Sequence, residues 1–232
     1  MASRGKLIAI EGVDGAGKHT QSELLGLALR ARGVACVPFC FPRYESTFGR
    51  LIASFLNGDF GPLDTIDAHF SALLYAGDRF EAKAELEAAL AAGNTIVSDR
   101  YVASNLAHQT ARVPMERRIA FSAWLKHLEY GIYGLPEEDL AIYLRLPASE
   151  ARERVGRKAA RKYTALQHDL QEADLQHLEQ TSAVYDLLAK QPHWVTVECV
   201  DPLKDVPRTT QEIHSDVLAA VESLILIQPQ PT

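Results

Sequence analysis

The chain has 232 residues, 47% of them apolar and 23% charged, and carries a formal net charge of −6 at pH 7. That length suits one α/β domain with a sizeable core, and the negative balance argues against a broad nucleic-acid surface. Three cysteines, Cys36, Cys40 and Cys199, follow no metal-type spacing and read as reduced thiols of a cytoplasmic protein. The apolar run at residues 7–10 predicts a first strand and is far too short for a signal peptide or a membrane span. A helix is expected over 20–32, stopped by Gly33, and then a strand over 34–39. A long helical pattern covers 64–92, with Gly77 as a point where it could bend. A strand at 95–97, a helix at 115–130 and a strand at 140–144 follow. Helices at 149–161 and 170–190, a strand at 194–197 and a helix at 205–224 complete the pattern, and residues 228–232 should fray. The strand runs lack polar alternation, as strands covered on both faces do. Strands alternating with helices imply one doubly wound α/β domain over residues 1–227, a five-stranded parallel sheet flanked by helices. Ligands of such sheets bind beyond the carboxyl ends of the strands.

The segment after the first strand is Glu11-Gly12-Val13-Asp14-Gly15-Ala16-Gly17-Lys18-His19-Thr20. It matches a phosphate-binding loop at Gly12, Gly17 and Lys18, where backbone N–H groups, a helix N-terminus and a lysine converge on phosphate oxygens. His19 stands where the pattern has a magnesium-binding hydroxyl. Thr20 comes one residue late, about 100° around the helix. Any Mg²⁺ must then be held by substrate phosphates and waters, with Asp14, Asp99 and Glu11 as candidate carboxylates. Taken alone, His19 is a surface imidazole on the first helical turn.

Three clusters follow later strands or sit on the long helix. They are Phe41-Pro42-Arg43-Tyr44, then Tyr75 with Asp78-Arg79, then Asp99-Arg100-Tyr101 with Ser104-Asn105 and His108-Gln109. Singly each has a structural reading as core, ion pair or helix packing. Together they offer aromatic faces, cations and an amide at one crevice, a set suited to a nucleoside monophosphate.

With these motifs, GVDGAGK, FPRY and DRY followed by SN, the sequence resembles the thymidylate kinase family from about Gly5 to Glu222. The resemblance implies the fold of a P-loop nucleoside monophosphate kinase with a helical lid at about 152–168. It also implies transfer of the γ-phosphoryl group of ATP to dTMP with Mg²⁺, by a homodimer. By position, Phe41 and Tyr75 would sandwich the thymine, Arg79 and Asn105 would read its edge, and Arg100 and Tyr44 would hold the acceptor phosphate. Ser104, His108 and Gln109 would complete the dTMP site, His108 standing where an aromatic crowds the sugar 2′ position. Gly12 to Thr20, that is Gly12, Val13, Asp14, Gly15, Ala16, Gly17, Lys18, His19 and Thr20, would bind ATP. Asp14, Asp99 and Glu172 would meet the metal, mostly through water.

A basic run, Arg152, Arg154, Arg157, Lys158, Arg161 and Lys162, carries six cations in eleven residues. The resemblance makes it the lid, and because Gly15 is not an arginine, Arg154 and Arg157 are expected to supply the catalytic cations beside Lys18, Asp14 and Arg100. Asp169 and Glu172 resemble the family's D-x-x-E acids. The alternatives are a related nucleotide kinase with another base preference, a phosphate-loop switch or partner-regulated ATPase, and a nucleotide-binding pseudokinase.

Overall fold

The computed structural model describes residues 4–156 and 175–225. Five strands form one sheet in the order β2-β3-β1-β4-β5, with every neighbouring pair parallel. They are β1 (Leu7–Glu11), β2 (Cys36–Cys40), β3 (Thr95–Asp99), β4 (Leu140–Arg145) and β5 (Trp194–Glu198). The expected doubly wound sheet is therefore present. The expectation of burial on both faces holds for β1 and β3, buried at every position, but not for the edge strands β2 and β5, which are partly open. An edge also explains Pro38, since a missing N–H there costs no internal ladder bond.

The helices are α1 (Lys18–Ala31), α2 (Thr47–Leu56), α3 (Ala68–Ala91), α4 (Val102–Ala111), α5 (Arg118–Lys126), α6 (Ala148–Gly156), α7 (Leu175–Leu188) and α8 (Thr210–Ile225). A short antiparallel ladder, β6 (Val200–Asp201) with β7 (Val206–Pro207), delays the last helix beyond its expected start at 205. The third helix also starts late, because Asp67 caps it by accepting the His69 N–H at 2.7 Å. The stretch expected as one helix over 115–130 divides into a 3₁₀ turn at Met115–Arg117, α5 and a π-helical turn at His127–Ile132. Gly77, expected as a weak point, lies in the middle of α3, where an added Cβ would stand 2.4 Å from the Phe48 ring. The glycine lets α2 lie close against α3.

Register sets the site. Cys40 pairs with Asp99, Asp99 with Ile10, and Ile10 with Ile142, so β2, β3 and β1 finish within one residue of each other and β4 runs two residues further. The core beneath holds Leu7, Ile8, Ile10, Ile96, Val97, Ile142 and Leu144, packed by Leu25, Leu86 and Tyr185 from the helices. A satellite cluster of Ile52, Phe55, Leu56 and Leu74 joins α2 to α3, with Tyr44 and Tyr75 against it. No helix among the described residues is long and apolar enough to cross a membrane.

Candidate active site

The loop between β1 and α1 turns on glycines with positive φ. A Cβ on Gly12 would meet the Leu144 carbonyl at 2.6 Å, and one on Gly15 would meet the Ala151 carbonyl at 2.9 Å and the Arg154 Cβ at 3.3 Å. Gly15 is thus the contact between the phosphate loop and the first turns of α6, and it brings Arg154 beside the loop. Lys18 opens α1, two residues before the expected helix start, and its Nζ folds back to donate to the Val13 carbonyl at 2.8 Å. Asp14 stands 3.8 Å from that ammonium. The imidazole of His19 is exposed, yet it is not idle on the surface: Nδ1 lies 3.3 Å from Asp99 Oδ2 and Nε2 lies 3.4 Å from Glu23 Oε1. Thr20 is exposed on the next position of the helix.

Arg100 follows β3 with φ 68°, a left-handed backbone that aims its side chain across the end of β1. Its guanidinium donates to Asp14 Oδ1 and, at 3.0 Å, to the Ser104 hydroxyl. Ser104 in turn donates to Glu11 Oε2 at 2.6 Å, so it supports Arg100 from below. Glu11, a candidate metal carboxylate from sequence, is fully buried and accepts the Tyr101 N–H at 2.7 Å and the Tyr185 hydroxyl at 2.9 Å as well. Those three donors hold Glu11 inside the protein as the base of the site. Beside this stack His108 is buried, with both ring nitrogens lacking a partner, its ring 5.7 Å from that of His177. Burial, then the Arg100 cation and His177, push its pKa well below the ordinary histidine range, so the ring is neutral.

The adjacent Asp78-Arg79 pair on α3 splits its work. Asp78 accepts the Arg43 N–H at 2.9 Å and the Ser46 hydroxyl at 2.8 Å, tying the loop that carries Tyr44 to the helix. Arg79 turns inward, where Glu129 accepts its Nε at 2.7 Å and also its Nη2. Burial opposes a charge there, but the Glu129 carboxylate outweighs it and raises the Arg79 pKa. Asn105 donates to the same carboxylate at 2.8 Å and to the Ala72 carbonyl at 3.0 Å, and its Oδ1 is buried without a partner. Gln109 is held between α3 and α4, accepting from Ser71 at 2.7 Å and from Arg112 at 3.0 Å. Phe41 is 3% exposed and packs on Phe39 and Tyr101, so the structure puts most of this ring in the core. Tyr75 sits edge-on to Phe55 at the satellite cluster with Tyr44.

A family model described as thymidylate kinase matches residues 10–209. The chain belongs to the thymidylate kinase family. A thymidylate kinase of Mycobacterium tuberculosis is 37% identical over 201 residues, covering 84% of this chain and 93% of that protein. One from Danio rerio is 29% identical over 231 residues, covering 98% and 95%. The solved structure of the Candida albicans thymidylate kinase superposes with a TM-score of 0.77 at 22% identity, over all of this chain and 97% of that one.

For a thymidylate kinase, the described residues bring Asp14, Lys18, His19, Asp99, Arg100 and Arg154 to one rim. Arg157 and Glu172, with Lys158, Arg161, Lys162 and Asp169, lie outside the described residues, as does most of the expected lid. Among the described residues no group of three or more histidine, cysteine or acidic side chains is assembled for a metal. The carboxylates of Asp14 and Asp99 fit a hard cation that arrives on phosphate and keeps its waters, with one Asp99 oxygen already facing His19. Sequence reasoning missed Glu129, although a signal was present: it falls on the apolar stripe of Phe121, Leu125 and Leu128, where a lone acid requires a buried partner.

Proposed function

We propose that this kinase transfers the γ-phosphoryl group of ATP to dTMP, giving dTDP and ADP. The observation that carries the reading is the hydrogen-bonded line from Asp14 through Arg100 and Ser104 to Glu11, which fixes a cation at the crevice between β1 and β3, beside the phosphate loop. In this reading the loop from Gly12 to Thr20 binds the ATP phosphates, and Lys18 leaves the Val13 carbonyl for them. Arg100 and Tyr44 hold the acceptor phosphate, whose anionic oxygen attacks the γ-phosphorus as the bond to the β-phosphate oxygen breaks. No strong base is needed, because the acceptor is already an anion at neutral pH; positioning and charge stabilisation do the work. Arg154 and Arg157 add positive charge from the lid. Asp14, Asp99 and Glu172 would hold Mg²⁺, which would supply further charge neutralisation. Tyr75 and the small exposed part of Phe41 flank the thymine, Arg79 and Asn105 read it, and His108 and Gln109 border the sugar and base.

The reading extends to assembly and location. Phe70, Leu73 and Phe80 are exposed on one arc of α3, about 80° wide. That stripe is suited to a second copy of the chain, and the free thiols Cys36, Cys40 and Cys199 suit the reducing cytoplasm.

Replacing Lys18 with Ala should lower kcat by roughly 10²-fold or more while circular dichroism stays native. Wild-type turnover in Lys18→Ala would remove the phosphate loop from the mechanism.

A further inference from the structure

Glu129 touches the two residues that the proposed function assigns to the base, and its geometry dictates what they present. It sits on the π-helical turn at His127–Ile132, whose wider winding buries Leu128 and Glu129 together. The carboxylate is fully buried and serves three donors: Nε of Arg79 at 2.7 Å, Nη2 of Arg79, and Nδ2 of Asn105 at 2.8 Å.

The second Asn105 N–H goes to the Ala72 carbonyl at 3.0 Å. Both neighbours of that amide are pure acceptors, so only one orientation satisfies it: the NH₂ toward Glu129 and Ala72, and Oδ1 left over. That oxygen is the buried atom without a partner. Arg79, gripped through Nε and Nη2, keeps Nη1 outside the pair as a fixed donor. The two side chains therefore offer one acceptor and one donor in fixed positions.

We infer that Glu129 is the positioning residue that makes this site select a thymine-type base; the inference rests on the dTMP reading. A ring N–H flanked by a carbonyl satisfies Asn105 Oδ1 and Arg79 together. Cytosine carries a lone pair and an amino group at the same two places, so acceptor meets acceptor and donor meets donor. A site with buried polar groups rejects the mismatched ligand strongly, because those groups are left unpaired. Glu129 itself touches no substrate. It acts by holding the amide of Asn105 in one of its two orientations.

The test compares dTMP and dCMP as acceptors in wild type, Glu129→Gln and Glu129→Asp, with ATP KM and thermal stability measured alongside. In Glu129→Gln the neighbour can donate as well as accept, so only the Ala72 carbonyl still favours one orientation of the Asn105 amide. The preference for dTMP over dCMP should shrink about tenfold or more, through the acceptor KM, with the ATP KM within about twofold of wild type. Glu129→Asp keeps the charge opposite Arg79 and carries the test if Glu129→Gln does not fold. Its shorter carboxylate cannot reach Arg79 and Asn105 at once, so its preference should shrink by about threefold or more. A preference ratio unchanged in the folded variants, with both acceptors falling in parallel, overturns the inference alone. A wild-type enzyme that prefers dCMP overturns the dTMP reading with it.

Discussion

Asp78 is the most exacting test of how the acceptor side is built. It is 1% exposed and anchors the loop after β2 through two hydrogen bonds, to the Arg43 N–H at 2.9 Å and the Ser46 hydroxyl at 2.8 Å, while Ser46 caps α2 through the Gly49 N–H. Asp78→Ala removes both bonds and strands the Arg43 N–H. Bonds to a charged acceptor contribute about 1.5–3 kcal/mol each, so with partial rehydration of the loop the loss should be about 3–5 kcal/mol. Asp78→Asn should cost only about 1–2 kcal/mol. Its oxygen can face the Arg43 N–H and its NH₂ can face the rotatable Ser46 hydroxyl, so both hydrogen bonds persist while the ion pair to Arg43 Nε at 3.7 Å is lost. Urea unfolding at constant m-value reads both differences. Because Tyr44 rides on this loop, the acceptor KM should rise in Asp78→Ala while the ATP KM stays near wild type. An Asp78→Ala protein within about 0.5 kcal/mol of wild type, or one no less stable than Asp78→Asn, refutes the anchoring argument.

Three further outcomes follow from single positions. Gly15→Ala should lower kcat/KM for ATP by about tenfold or more, since φ is +87° and the new Cβ meets the Ala151 carbonyl at 2.9 Å. Gly33→Ala, at φ +79° with nothing within 4 Å, should cost about 1 kcal/mol of stability and no activity, which separates backbone strain from the loop contact. Burial lifts Glu138 to about 7 against the opposing hydrogen bond from Tyr130. The folded chain then keeps a proton that the unfolded chain releases, so this contribution is complete below pH 4.5, falls as pH rises to about 7 and is flat above. Glu138→Gln cannot ionise and should be more stable than wild type above pH 7, by on the order of 3 kcal/mol, with a correspondingly higher Tm; identical Tm–pH profiles would contradict the assignment.

Much of this architecture was legible because its signals are local. The apolar runs of β1, β3 and β4, the glycines before Lys18 and the clusters after β2 and β3 each lie within a few residues. What escaped depends on long-range packing. All ten residues of α4 are buried, so the helix shows no polar face and no helical periodicity. The amphipathic pattern of α2, with Phe48, Ile52, Phe55 and Leu56 after the Ser46 cap, was readable but sits in a turn-rich stretch. In sequence Glu11 reads as a candidate metal carboxylate and Glu129 as a lone acid on an apolar stripe, with no partner in view for either. Only the fold shows that one carries the Arg100 stack and the other clasps Arg79 and Asn105. Phe41 shows the converse, a residue singled out for ligand stacking that is mostly core.

The central claim is that the crevice joining the phosphate loop to Arg100 phosphorylates thymidylate. The direct measurement is ADP release by the wild-type protein with ATP, Mg²⁺ and a panel of nucleoside monophosphates, with the nucleoside diphosphate product identified by mass. The account predicts turnover with dTMP at the highest kcat/KM of the panel and dTDP as product. Nucleotide binding without turnover, or a higher kcat/KM for another monophosphate, would contradict it.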